Sequence, residues 1–307
     1  MTWRDAALPA GVFAALALAP FLGFGQSHSL TLLARAMIFA MAAISLMLLV
    51  GGAGLVSLGH AAMMGVGAYA VVVLDHARIT EAWAVLPAGV GATALFALAT
   101  GAIAIRTSGV HFIMITLAFG QMAFFTASSL ALFGGDDGYT LYGRTEIFGA
   151  RLLEDRLAFH FACLFCLVAA WALVRALLAS RFGRVLRAAR ENETRVRALG
   201  LEPYPYRLAA YVIAGAIGGL AGVLLANATE FVAPAYLAWQ RSGDLLFMVI
   251  LGGLAGPHGA LLGALAFVLV EEWLATLTEH WRLIFGPLLI LCVLFLRGGI
   301  AGLLGRG

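Results

Sequence analysis

The chain has 307 residues, of which 63% are hydrophobic and 11% charged, with a net charge of +3; an ordinary soluble domain has about 25% charged residues. That balance excludes a soluble globule, which needs more polar surface, and excludes disorder, which cannot leave so much apolar surface in water; it specifies an all-α polytopic membrane protein. All 19 basic residues are arginine, so neither a P-loop lysine nor a Schiff-base lysine exists, and any ATP that powers this chain is hydrolysed on another polypeptide.

A spanning helix needs about 20 apolar residues. In chain order the apolar runs are 8–24, 32–50, 61–74, 83–105, 110–133, 157–178, 208–227, 245–254, 260–274 and 283–296. The first follows Arg4 and reads as a retained span rather than a signal peptide. Together the runs predict about 8–10 membrane segments, some broken by glycine or re-entrant. Run 245–254 is ten residues, about 15 Å of helix and half a bilayer. Cys163 and Cys166 form a C-x-x-C inside an apolar run, and Cys292 lies in another. All three read as apolar filler, and no metal site is predicted. Asn227-Ala228-Thr229 matches a glycosylation triplet but abuts a span end and is discounted.

Two glycine-rich stretches interrupt the spans. The first is Gly51-Gly52-Ala53-Gly54-Leu55-Val56-Ser57-Leu58-Gly59-His60, followed by Gly65, Gly67 and Tyr69. Each glycine costs a helix interior about 1 kcal/mol against alanine, so a continuous helix is not expected. The second is Gly252-Gly253-Leu254-Ala255-Gly256-Pro257-His258, where proline removes a donor as well. Irregular backbone at membrane depth survives only inside protein or along a watery cavity. Gly51, Gly52, Gly54, Ser57, His60, Gly252, Gly253, Gly256 and His258 are therefore candidates for a solute path, with both breaks meeting near mid-depth. Close helix packing through small residues explains the same glycines, and structural histidines explain His60 and His258. Stretches 46–74 and 245–270 share an order of apolar run, Gly-Gly and His, a weak sign of repetition.

Charge sets the orientation. Residues 175–207 hold eight arginines against three glutamates, whereas 134–156 hold three arginines against five acidic residues. The positive-inside rule places 175–207 in the cytoplasm, 134–156 outside, and both termini inside on Arg4, Arg297 and Arg306. Within the basic stretch, Val185, Ala189, Val196 and Leu199 fall on one face of a helix over 184–199, with Glu191–Arg195 and Glu193–Arg197 as i, i+4 pairs and Gly200 as the cap. A short helix with a narrow apolar face suits partner docking; a solvated positive-inside anchor is the plainer reading. Candidate coupling residues are Arg184, Arg187, Ala189, Arg190, Glu191, Glu193, Leu199 and Gly200. Glu271 and Glu272 end an apolar run, and ion coupling through them would make the chain a secondary transporter of a small polar solute instead.

Residues 51–69, 109–121 (Gly-Val-His-Phe-Ile-Met-Ile-Thr-Leu-Ala-Phe-Gly-Gln), 134–138, 180–200 with its Arg-Glu-Asn-Glu core, and 248–263 together resemble the M-type permease of branched-chain amino-acid ABC importers. The likeness runs from about residue 32 to 263. It implies one transmembrane permease domain over 1–307 with a coupling loop at about 180–206, alternating access in a bacterial inner membrane, and transport of branched-chain or other hydrophobic amino acids. The implied partners are two cytoplasmic ATPase subunits, a related H-type permease and a periplasmic solute-binding protein, with no nucleic acid. No cofactor is implied on this chain; ATP and magnesium would sit on the ATPase subunits. Leu55 stands where many members look to have Gln, Met63 and Met64 where Phe is common, and His111 where Tyr is usual. These departures leave the solute less defined than the family, whose relatives also carry urea, amides or aromatic acids.

Overall fold

The computed structural model describes residues 4–22, 26–254, 256–278, 280–295 and 298–304. Arg297 and Arg306, on which the C-terminal orientation leaned, lie outside that set, as does Ala255. The helices are α1 (Arg4–Leu18), α2 (Ser27–Met47), α3 (His60–His76), α4 (Ala82–Ala104), α5 (Val110–Ser129) and α6 (Arg156–Ala179). They continue with α7 (Arg181–Glu191), α8 (Glu193–Ala198), α9 (Pro203–Thr229), α10 (Trp239–Gly252), α11 (Pro257–Leu277), α12 (Trp281–Phe295) and α13 (Gly299–Leu304). The two strands, β1 (Tyr139–Thr140) and β2 (Phe231–Val232), form one antiparallel pair.

Among the described residues, six helices are long and apolar enough to cross a membrane; the chain is a multi-pass membrane protein. With the short α1, α3, α10 and α12, these make the expected set of segments. Local signals fix several starts. Asp155 caps α6 by accepting from the Leu157 N–H at 3.1 Å, and Pro203 and Pro257 open α9 and α11, where a missing N–H costs nothing.

The bundle has an arginine-rich end, carrying α7 and α8, and an opposite end. Helix α2 descends from the opposite end, passes through a π turn at Leu48–Ala53 and meets Arg190 of α7 at Gly51. Residues 54–59 then turn back into the bundle, and α3 starts inside it. Helix α3 emerges at the opposite end, where Asp75 accepts from the Tyr142 N–H. After α9 the chain repeats this in reverse. It forms β2 beside β1 at the opposite end, dips until Leu237 lies against Gly65 midway along α3, and starts α10 inside the bundle. Helix α10 runs to the arginine-rich end, and α11 rises back until Glu271 and Glu272 face Arg35.

The packing follows that reversal. Helix α4 covers α9 as α11 covers α2; α3 crosses α9 as α10 crosses α2; α3 packs on α4 as α10 packs on α11. Segments α2–α5 and α9–α12 therefore form an inverted repeat, with α2 and α9 at its centre. This corrects the pairing of 46–74 with 245–270. The Gly-Gly breaks of those two stretches both lie at the arginine-rich end, whereas the structural counterpart of 54–59 is 230–238, which lacks a Gly-Gly. The α3–α9 crossing brings backbones into contact: a Cβ on Gly67 would strike the Gly219 carbonyl, and one on Gly222 the Met64 carbonyl.

Candidate functional site

The first glycine break is built by a loosened helix ladder. In the π turn the Gly54 N–H reaches back to the Leu49 carbonyl, and Gly54 sits at φ +71°, the left-handed region. The Gly51 carbonyl accepts from Arg190 Nη1 at 2.7 Å. A Cβ on Gly54 would stand 2.8 Å from the Arg190 Cγ, so the arginine stem lies along the bare glycine. Gly52 is buried against the Leu178 side chain. Beyond the turn, the Leu58 N–H meets Thr116 Oγ1 of α5 at 3.3 Å.

Ser57 and His60 reach the interior. His60 is fully buried, its Nε2 2.7 Å from Ser45 Oγ on α2. The Ser45 hydroxyl also bonds the Ala42 carbonyl at 2.7 Å. The hydroxyl proton is thereby used, which assigns the Nε2 proton to His60 and makes Ser45 its acceptor. Next to it, the Ala61 N–H in the first turn of α3 donates to Ser242 Oγ in the first turn of α10 at 2.9 Å. The two half-helices thus begin side by side within the bundle.

The second break closes tightly. Gly252 ends α10; Gly253 takes φ +102°, and a Cβ there would also strike the Gly298 carbonyl, so both its conformation and its surroundings require glycine. Gly256 precedes Pro257, and His258 is half-buried and engaged with a neighbour. The Leu254 carbonyl lies 3.4 Å from where a Gly51 Cβ would be. The two breaks therefore meet, as expected, but at the arginine-rich end rather than at mid-depth. The reason is length: the π turn of α2 reaches α7, and the end of α10 reaches that turn, before their helical ladders fail.

The basic stretch is not one helix. Asn192 takes an extended conformation (φ −157°, ψ 99°) between α7 and α8, and its Oδ1 caps α8 at the Arg195 N–H, 2.9 Å away. Glu191 and Arg195 consequently fall on different helices and their expected pairing is absent. Glu193 does pair with Arg197 at 2.8 Å and also holds Arg207 at 2.7 Å. Gly200, at φ +80°, closes α8 by donating to the Arg197 carbonyl, while the Leu201 N–H bonds the Val196 carbonyl.

The apolar face of this stretch is turned inward. Gly183, Leu186, Ala189 and Val196 are buried against the chain's own α6, α9 and π turn. Arg187 donates to the Leu178 carbonyl at 2.8 Å and Arg184 to the Ala179 carbonyl at 3.4 Å, satisfying orphan acceptors at the end of α6. Arg207, which the sequence did not single out, ties Glu193 and the Ala189 carbonyl together. Leu199 is 75% exposed and Glu191 is exposed, so these face away from the bundle. A polar hollow of about 470 Å³ opens beside α8 between Arg106, Arg197, Glu202 and Tyr204.

Residues 29–294 match a protein-family model described as branched-chain amino acid transport system / permease component. The high-affinity branched-chain amino acid transport system permease protein LivM of Salmonella typhimurium is 26% identical over 287 residues, covering 86% of this chain and 68% of its own. LivM of Escherichia coli K12 is 28% identical over 288 residues, with the same shares. The corresponding permease protein LivH of Escherichia coli K12 is 24% identical over 285 residues, covering 86% of this chain and 91% of its own. No solved structure matches the chain.

Proposed function

Because the chain belongs to the branched-chain amino acid transport permease family, we propose that it is the permease subunit of an ABC importer carrying branched-chain or other hydrophobic amino acids across a bacterial inner membrane. It is a transport subunit and not in itself an enzyme. In this reading two cytoplasmic ATPase subunits bind ATP and magnesium, a related permease completes the membrane unit, and a periplasmic binding protein delivers solute. The arginine-rich end faces the cytoplasm. The C-terminal helix agrees with that orientation, since Gly298 and Gly299 lie against Gly253 at the same end as α7.

One observation carries the mechanism: Arg190 joins the cytoplasmic helix α7 to the Gly51 carbonyl in the π turn. An ATPase docked on the outer faces of α7 and α8 would move α7 against α6. Arg190 would transmit that movement to a turn whose hydrogen-bond ladder is already loosened, shifting residues 54–59 and the start of α3. In this reading the turn switches between two arrangements, as alternating access requires. Ala189, buried beneath α7, serves the seat of the lever rather than the partner contact; Leu199 and Glu191 lie on the side a partner can reach.

The test is uptake of leucine by proteoliposomes holding the whole complex, with ATP inside and ion gradients collapsed. Uptake under those conditions supports the reading. Uptake that ignores ATP and follows an ion gradient overturns it in favour of secondary transport.

A further inference from the structure

A second feature lies away from the coupling end. Helices α2, α3, α9 and α10 enclose a cavity of about 200 Å³ lined by Arg35, Phe39, Ala61, Met64, Leu225, Thr229, Tyr236, Arg241 and Leu245. Its floor is apolar and buried: Phe39, Met64, Leu225 and Leu245. Its rim is polar: Arg35, Thr229, Tyr236 and Arg241. Ala61 places the first turn of α3 at the cavity wall. Both guanidiniums stand in long ion pairs, and that of Arg35 also lies over the Phe39 ring, 5.8 Å from its centroid. Arg35 stands 3.4 Å from Glu271 and 3.8 Å from Glu272, and Arg241 stands 3.6 Å from Asp244. Each guanidinium has five N–H donors in a fixed fork, and two long pairs at Arg35 and one at Arg241 leave donors for another acceptor.

We propose that this cavity binds a zwitterionic amino acid with an apolar side chain, Arg35 and Arg241 taking its carboxylate and the Phe39–Met64–Leu225–Leu245 floor its side chain. The proposal rests on the transport reading above and names the solute class that the permease itself recognises. Arginine charge at membrane depth is expensive and persists where it meets a partner or water. Two arginines above an apolar floor match a solute that is charged at one end and oily at the other. The ammonium group would face the acidic side chains that already flank the arginines, Asp244, Glu271 and Glu272. Arg35 and Thr229 set its rim toward the end opposite α7, where Arg35 faces Glu271 and Glu272, the side from which an importer receives solute. Among the described residues, no cluster of acidic, histidine and cysteine side chains suits a metal ion, so the carboxylate would be held by the arginines directly.

The experiment uses the permease–ATPase complex in proteoliposomes, with Cys163, Cys166 and Cys292 replaced by alanine and Met64→Cys placed on the cavity floor. A membrane-impermeant thiosulfonate is added from the side opposite the ATPases. L-Leucine should slow labelling at least fivefold, and leucinamide, which lacks the carboxylate, should not. Arg35→Gln and Arg241→Gln should each abolish the protection. Leu245→Phe, which fills the floor without touching a charge, should weaken it in a complex that still assembles. A cysteine at position 64 that never reacts, equal protection by leucine and leucinamide, or protection unchanged in both arginine variants overturns the site. ATP-driven leucine uptake by the parent complex is measured in parallel. Uptake without protection removes the site and leaves the transport reading standing; protection without uptake does the reverse.

Discussion

Replacing Arg190 by methionine isolates the link between α7 and the first glycine break. Methionine keeps an apolar stem to lie along Gly54 and removes the guanidinium that bonds the Gly51 carbonyl at 2.7 Å. A hydrogen bond to a charged group contributes about 1.5–3 kcal/mol when buried. Arg190 is exposed to solvent, so screening reduces the figure to about 1 kcal/mol. A loss of that size leaves the fold intact, because Leu186, Ala189, Arg187 and Arg184 still hold α7 on α6. If the bond transmits the ATPase stroke, the same 1 kcal/mol lowers the solute moved per ATP by about fivefold. The assay is leucine uptake and ATP hydrolysis measured together in proteoliposomes of the whole complex. Hydrolysis should persist while the ratio falls, and Arg190→Lys should recover part of it. A wild-type ratio in Arg190→Met refutes the lever, and α7 is then only a seat for the partner.

Other expectations follow from single contacts. Ser45→Ala leaves the buried His60 Nε2 without its partner and should destabilise the protein by about 1–3 kcal/mol; thermal unfolding in detergent checks this, and an unchanged midpoint rejects the Ser45–His60 bond. Asn192→Ala removes the α8 cap and should cost about 1 kcal/mol, seen as faster amide exchange over 193–198 with little change elsewhere. A cysteine at position 190 should resist an impermeant maleimide in intact cells, whereas one at position 151 should label; labelling at 190 without permeabilisation reverses the orientation.

The membrane class, the placement of the spans, the arginine-rich end and both breaks were legible in the sequence. These are properties of runs: hydropathy and charge sum along neighbouring residues, and glycine or proline weakens a helix wherever it stands. Even the cap at Gly200 is local, since it depends only on a residue that tolerates φ +80°. Tertiary structure decided what the runs meet. The apolar stripe through Ala189 and Val196 has the same spacing whether its cover belongs to a partner or to the chain's own α6 and α9, and only packing showed that it is the latter. The break at Asn192 depended on its side chain choosing a cap over a helical ladder, a competition between bonds of similar strength. The inverted repeat was hidden because its halves share packing and apolar character, not glycine pattern: 230–238, the counterpart of 54–59, has no Gly-Gly. Arg35 and Arg241 are distant in sequence, and each alone reads as an isolated charge near a span; the cavity they share exists only where α2 and α10 fold together.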